Sequence, residues 1–303
     1  MEKLATYKNG NTYTTIYEDG TKVHFTKDDD FIFDFPEAHD IQISQCCDNG
    51  CEFCYAGCSV NGKHGKLTNW KFFETMRPYT EIAINLQFPL PLDLMDFLEE
   101  MKKRQIIVNV TINQKHFMSE HGQQLIQFLI KTGLIKGVGI SLVDPTQEGF
   151  IETVKRTPNA IVHVIAGVIC PEDIGVLGNQ GLKILILGYK TKGRGLNYYK
   201  IHNQGVLDNI AWLESCLMDF VEEFNVISFD NLALEQLHVK DKLSEEDWEK
   251  FYAGEDGSVT FYIDLVNGTF ARSSISETTY PIGDKSVDEM FAIIKEEVNG
   301  THK

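Results

Sequence analysis

Polar and apolar residues alternate through residues 11–17 and again through 21–26, with Glu18-Asp19-Gly20 between the two runs. A period of two over runs rich in Thr, Tyr and Val predicts an N-terminal β-hairpin. An acidic stretch at 27–30 and the aromatic stretch FIFDFP at 31–36 follow, and then the pattern changes. Short β-branched runs at 40–44, 81–86, 106–111, 137–142, 161–167, 182–188 and 225–230 are separated by longer segments with helical spacing. In 91–104, Leu94, Phe97, Leu98 and Met101 would line one helix face; 123–131, stopped by Gly133, and 208–223 read the same way. Strands alternating with helices predict repeated β/α units on a parallel sheet. Past residue 231 the repeat fades; 259–265 and 269–273, joined by Val266-Asn267-Gly268, predict a second hairpin, and 286–298 a closing helix.

Composition narrows the class. With 303 residues, 43% hydrophobic and 24% charged, the chain can bury a substantial core. Lys and Arg number 28 against 44 Asp and Glu, and the formal charge of -16 repels a polyanion, which disfavours bulk nucleic acid as a partner. The opening MEKLATYKNGNTYTT lacks the apolar centre of a secretory signal, and the longest apolar stretches, such as 161–170, fall short of a bilayer span. No membrane partner is expected, and the expected location is cytoplasmic. Five of the seven cysteines crowd into CCDNGCEFCYAGC, residues 46–58. An odd number of thiols in a reducing compartment makes a poor disulfide framework and points to metal.

That loop directly follows the first strand of the β/α repeat, where barrels and open doubly wound sheets alike place ligands. Thiolates suit zinc and iron–sulfur clusters because soft sulfur matches those metals. Two registers compete. Cys47, Cys51 and Cys54 form C-x3-C-x2-C, which can hold three irons of a cubane and leave the fourth open to a small molecule. Cys51, Cys54 and Cys58 with His64 would instead close a Cys3His zinc site. In the first register Cys46 and Cys58 are bystanders; Cys170 and Cys216 lie in apolar contexts and read as core residues. No nucleophile elbow, zinc-protease, Walker or dinucleotide fingerprint occurs.

The first register, with Phe53 before the last cysteine, resembles the C-x3-C-x-aromatic-C signature of the radical S-adenosylmethionine (SAM) superfamily. The resemblance extends along the chain. NVTIN (109–113), GVGISL (137–142) and HVIAGV (163–168) look like the family's third, fourth and fifth strands, and LKILILGYKTKGRG (182–195) like the sixth strand and its loop, so that residues 40–237 are covered. The fold it implies is α/β: a partial (β/α)6 TIM-like barrel with an N-terminal β-hairpin and a small C-terminal hairpin and helix. The implied division is 1–37 hairpin and linker, 38–238 core barrel, 239–303 C-terminal extension.

The resemblance implies an enzyme with two cofactors, a [4Fe–4S] cluster on Cys47, Cys51 and Cys54, and SAM on the open iron. An external one-electron donor would drive reductive cleavage of SAM to a 5′-deoxyadenosyl radical that abstracts hydrogen from a substrate. Tyr55, Asn85, Gln87, Asn113, Ser141 and Lys190 are the residues implied to face SAM. The family's Gly-Gly-Glu-Pro-like segment is replaced here by NLQFPLP, 85–91, which keeps the proline at Pro89 but lacks both glycines, so Asn85 or Gln87 would offer a side-chain amide instead. The hairpin FYIDLVNGTFARSS, 261–274, is similar to the C-terminal extension of peptide-modifying members but lacks auxiliary-cluster cysteines. It favours a peptide substrate; a small metabolite also fits. The alternative function is non-enzymatic binding by a catalytically degenerate radical SAM fold or by a zinc module.

Other residues carry two readings each. Ser141 could contact the SAM ribose or cap the turn before Asp144-Pro145. Lys190, Lys192 and Arg194 could meet a carboxylate or phosphate, or form a solvated turn. His116 and His163 could act as acid or base; structurally, His163 would hydrogen-bond in the core or lie on the helix side. Asp230 could touch substrate or cap a helix, and FIFDFP could shield the cofactor or pack against the first hairpin.

Overall fold

The N-terminal hairpin has a third strand. In the computed structural model, which describes residues 2–252 and 254–301, β1 (Lys3–Asn9), β2 (Thr12–Tyr17) and β3 (Lys22–Phe25) form one antiparallel sheet in that order. The sequence did not announce β1, because its residues are exposed or half-buried until Asn9 and so lack the contrast that marks β2. The sheet is fastened by a buried carboxylate. Glu37 accepts from Thr14 Oγ1 at 2.6 Å, His24 Nε2 at 2.7 Å and Asn9 Nδ2 at 3.4 Å, just before the main sheet begins. FIFDFP packs here rather than on the thiols: Phe33 meets His24 and Phe35 meets Tyr7.

The rest of the chain builds one sheet. Its first seven strands are β4 (Ala38–Gln42), β5 (Glu81–Leu86), β6 (Ile107–Asn113), β7 (Gly137–Ser141), β8 (Ala160–Ile165), β9 (Lys183–Leu187) and β10 (Val226–Phe229). All are parallel to their neighbours and adjacent in chain order. The helices between and after them are α1 (Lys71–Thr75), α2 (Leu94–Lys103), α3 (Gln114–Met118), α4 (Glu120–Lys131), α5 (Phe150–Arg156), α6 (Pro171–Leu177), α7 (Gly193–Cys216), α8 (Asn231–Gln236), α9 (Glu245–Phe251) and α10 (Val287–Thr301). β11 (Thr260–Asp264) adds to the free side of β4 in parallel, followed by antiparallel β12 (Thr269–Ala271) and β13 (Tyr280–Pro281). The predicted C-terminal hairpin is therefore continuous with the central sheet, which is mostly parallel and belongs to the α/β class.

The two faces of this sheet differ in chemistry. Ile41, Ile82, Ile84, Val108, Val110, Val138, Ile140, Val162, Val164, Ile184 and Ile186 are buried in the hydrophobic core. The alternate residues, among them Asp40, Asn85, Asn109, Thr111, Gly139, Ser141 and His163, line a single cavity of about 700 Å3. Strands β4 to β9 all contribute to that wall, so the sheet curls around it. Among the described residues no ladder joins β10 to the other end of the sheet, so the curl stays open.

The N-terminal sheet closes the cavity at the start of the strands. The turn Glu18-Asp19-Gly20 lines its floor, with Lys136 Nζ 2.8 Å from Glu18 Oε2, Asn159 Nδ2 donating to Glu18 O at 3.1 Å, and Lys22 Nζ 2.9 Å from Glu81 Oε2.

Two other expectations are corrected. The helix read over 208–223 begins at Gly193 and ends at Cys216, with a non-helical residue at His202. Its glycine-rich start looks like a loop in sequence, but those glycines serve close packing. Cys170, read as core, is the half-buried N-cap of α6 and donates Sγ to Asp173 Oδ2 at 3.2 Å. Among the described residues no helix is long and apolar enough to cross a membrane.

Candidate active site

The cysteine loop leaves the C-terminal end of β4 and returns to it. Ser44 and His64 form an antiparallel bridge at its base, Cys47 N donates to Ser59 O at 2.9 Å, and Ser59 N donates to Gln45 O at 3.0 Å. A Cβ on Gly62 would stand 1.9 Å from Gln45 O, so only glycine lets the returning strand approach this closely. His116 braces the loop's beginning: its Nε2 lies 2.6 Å from Asp48 Oδ1 and its Nδ1 3.2 Å from Asn49 Nδ2. That contact absorbs His116 into loop positioning.

The far side of the loop is held by the start of α7. Arg194 donates Nε to Cys51 O at 2.8 Å and Nη1 to Cys58 O at 2.6 Å, while its backbone N donates to Cys54 O at 3.0 Å. Gly193 has a left-handed φ of 55°, and a Cβ there would lie 2.2 Å from Tyr55 O. Arg194 thus clamps the cysteine loop. Sequence reasoning assigned it a ligand anion or solvent; the spacing of two glycines around one arginine was the available signal for close backbone approach.

Cys47, Cys51, Cys54 and Cys58 line the cavity, Cys47 and Cys58 buried and Cys51 and Cys54 half-buried. A hydrogen bond from Cys58 holds the Cys54 thiol well below the ordinary cysteine value against the effect of burial, and Arg194 adds to the lowering. The same contact, with burial, pushes Cys58 up. Burial also raises Cys51, and the charges of Cys54 and Cys47 raise it further, which places the three sulfurs within electrostatic reach of one another. Cys54 is the thiolate of the group, and thiolate is the ligating form. Asn49 Nδ2 lies 3.5 Å from Cys47 Sγ and Asn113 Nδ2 lies 3.7 Å from Cys51 Sγ, so two amides face the sulfurs.

This donor set fits an iron–sulfur cluster better than a single ion. Among the described residues no three His, Cys, Asp or Glu side chains converge on one metal position. His64, the fourth donor of the Cys3His alternative, is engaged by Ser44 Oγ at 2.9 Å. A cubane takes each thiolate on a separate iron and asks only for sulfurs around a shared space, which Cys47, Cys51 and Cys54 offer. The cavity's volume falls within the range of small-molecule sites.

All six residues expected to face SAM line this cavity: Tyr55, Asn85, Gln87, Asn113, Ser141 and Lys190. Their side chains are not equally available. Asn85 accepts from Ile43 N and donates to Ser44 O, each at 2.8 Å, continuing the pairing of β5 with the chain beyond β4. Asn113 caps α3 by accepting from Lys115 N. Gln87 donates Nε2 toward Cys58 Sγ at 3.5 Å, while its Oε1 is buried with no hydrogen-bond partner. Lys190 stands over the Tyr55 ring at 4.5 Å, donates to Ser274 Oγ at 3.0 Å and lies 3.9 Å from Asp230 Oδ2.

No family model and no curated protein matches the chain. Three crystal structures of SuiB from Streptococcus suis match across 86% of it with TM-scores of 0.55. The chain shares SuiB's fold. The identity is 15% to SuiB bound to S-adenosylmethionine, and 13% both to SuiB bound to the precursor peptide SuiA and to SuiB alone. The chain spans 64% to 66% of SuiB's length, so a portion of SuiB has no counterpart here.

Two cavity residues were misread or missed in the sequence. His163, expected in the core or on the helix side, points into the cavity, and burial holds its imidazole down at about 4. Its ring occupies the place a side chain at Gly139 would fill, 2.2 Å from that absent Cβ. Glycine inside a strand marks such an approach, so Gly137-x-Gly139 was the readable clue. Asp40 on β4 also projects inward. Asp230 both caps α8, accepting from Ala233 N at 2.8 Å, and lines the cavity.

Proposed function

We propose that this chain is a radical SAM enzyme that carries a [4Fe–4S] cluster on Cys47, Cys51 and Cys54 and cleaves SAM reductively. The observation that carries the proposal is the opening of these three thiols, in the C-x3-C-x-aromatic-C order, onto one cavity at the C-terminal ends of a curled parallel sheet. Sharing a fold with a SAM-bound protein supports it. When bound, the cluster and SAM supply a 5′-deoxyadenosyl radical and methionine, given one electron from an external donor.

The chain's own residues bind and orient. Asn49 and Asn113 direct amides at the thiolates, which stabilises their charge. Gln87 Oε1 is the free acceptor for the ammonium of SAM, in place of the carbonyls of a glycine-rich segment. Asn85 positions instead, because its amide fastens the backbone from which the cysteine loop departs. Tyr55, Ser141 and Lys190 complete the SAM wall, and the N-terminal turn keeps water from entering through the floor. In this reading residues 38–238 are the reaction core, 1–37 the floor, and 239–303 an added wall. We assign a peptide substrate, supported by the fold shared with a precursor-peptide complex, and a reducing, cytoplasmic setting.

Anaerobic reconstitution with iron and sulfide, followed by dithionite and SAM, tests this directly. The expected outcome is a brown protein with about one cubane per chain that releases 5′-deoxyadenosine, and a Cys51→Ala variant without cluster absorbance. A colourless protein containing zinc, or a loaded protein that leaves SAM intact, replaces this reading with the zinc module or the degenerate scaffold respectively.

A further inference from the structure

Among the described residues, Asp40 is a carboxylate of the cavity wall with no hydrogen bond or ion pair. On β4 it stands in register between Tyr262 of β11 and Ala83 of β5, and the same row continues through Asn109 to Gly137, so small residues leave space beside the carboxylate. Its exposed surface belongs to the cavity. Among the described residues no hydrogen bond and no ion pair reaches it, although every nearby basic group has other partners. Lys190 is engaged by Ser274, Asp230 and Tyr55; Arg194 by Cys51 O and Cys58 O; Lys136 by Glu18. Asp230, a second carboxylate near Lys190, already accepts from Gly188 N and Ala233 N at 2.8 Å each, and Asp256, a third, accepts from Asn231 Nδ2 at 2.8 Å. Three carboxylates therefore act on one ammonium, and among the described residues the one without a hydrogen bond or ion pair is Asp40.

Two more polar groups on this wall are incomplete. Gln42, on the same face of β4 and only 8% exposed, accepts from Tyr262 OH at Oε1, while its Nε2 has no partner; Gln87 Oε1 has none either. Buried polar groups in a finished core are paired, so unpaired ones on the wall of a cavity mark where a ligand completes them. Burial pushes the Asp40 carboxyl up; Lys190 pulls it back, and Asp256 and Asp230 add to the rise. An isolated charge in such surroundings is costly unless a counter-charge arrives.

We propose that Asp40 is the specificity-determining counter-charge for a cationic group held inside the cavity. The cation is either the sulfonium of SAM or an alkylammonium side chain of the substrate; the first source rests on the radical SAM reading, the second does not.

Two ligand pairs of similar size, one member charged and the other lacking that charge, test this on the full chain after anaerobic reconstitution, with affinities read by calorimetry. SAM is compared with S-adenosylhomocysteine, and n-butylammonium with n-butanol, for the wild type and for Asp40→Asn. The wild type should prefer the charged member of at least one pair by about tenfold, the order of one close, partly screened charge–charge contact, and Asp40→Asn should abolish that preference. The first pair assigns the sulfonium and the second the side chain. If neither adenosyl ligand binds, the radical SAM reading fails, and the butyl pair still decides the role of Asp40. Asp40→Asn should also melt no lower than the wild type without ligand, because it removes a carboxylate that has no hydrogen bond or ion pair among the described residues and lies near Asp230 and Asp256. A preference absent from the wild type in both pairs, a preference that survives Asp40→Asn, or a lower melting temperature in that variant or in Asp40→Ser overturns the proposal.

Discussion

Removing the Arg194 guanidinium should loosen the cysteine loop without unfolding the chain. Two charge-assisted bonds run from it to Cys51 O and Cys58 O, at 2.8 Å and 2.6 Å. Hydrogen bonds to charged groups are worth about 1.5 kcal/mol or more each, so Arg194→Ala should cost roughly 2 to 3 kcal/mol once water reaching the half-buried carbonyls is allowed for. That is a minor share of a domain's stability but most of what holds a loop. The loss should therefore appear locally, as faster hydrogen exchange in residues 45–62 with the strands unchanged. Iron and sulfide bound per chain after reconstitution should fall in parallel. Arg194→Lys offers an ammonium where a fork stood and should restore about half of the protection. Removing the positive charge should also raise the Cys54 thiol and slow its alkylation at neutral pH. Unchanged exchange and full cluster loading in Arg194→Ala would refute the clamp.

Gly193→Ala forces a left-handed backbone on a residue whose Cβ meets Tyr55 O, so it should cost roughly 1 to 3 kcal/mol and reduce cluster loading; a fully loaded, equally stable variant counts against close packing there. Asn85→Ala leaves Ile43 N and Ser44 O unpaired and should lower the stability by roughly 2 to 4 kcal/mol in urea titration, whereas a change under 1 kcal/mol would mean these groups find other partners. Acidification should weaken the fold in two windows. Burial holds His39 and His163 at about 3 and about 4, so as pH falls below their ordinary 6.5 the unfolded chain binds protons that the folded chain refuses, and stability declines. Glu37, held below its ordinary 4.5 despite burial by His24, Lys22 and Thr14, contributes stability above that pH and loses it below. Urea midpoints measured between pH 7 and about pH 2.5 check both windows, and a flat profile contradicts them.

Local periodicity carried the strands of the β/α repeat and four of the ten α-helices among the described residues, one of them displaced, because each β/α unit buries one face of β-branched residues whatever its neighbours do. β5 was readable to the residue at Glu81–Leu86. β4 was read two residues late, since Ile43 and Ser44 look like strand but pair with the Asn85 side chain instead of a backbone ladder. The cysteine spacing singled out Cys47, Cys51 and Cys54, which the fold brings to one cavity. The remaining wall was hidden because inward or outward parity depends on register, and register is set by partners far away in sequence. His163 faces inward because Gly139 on the adjacent strand leaves room for its ring, and Asp40 owes its surroundings to β11, which no local pattern links to β4.

That long-range pairing changes what the cysteine loop rests on. With β11 on one side and β5 on the other, β4 is an interior strand, so the loop springs from backbone fixed on both edges. At the opposite end of the curl, β10 has no second neighbour among the described residues. Side chains span the opening instead. Lys190 Nζ and Lys192 Nζ, from the segment after β9, reach Ser274 Oγ and Ser274 O at 3.0 Å and 2.9 Å, and Asn231 Nδ2 reaches Asp256 Oδ1 at 2.8 Å. A ladder would need several cooperative backbone bonds to open, whereas these few half-exposed contacts can break singly. The chain thus combines a rigid mount for the thiols with a breakable seam along the cavity, and the seam can open without disturbing the loop that carries the cysteines.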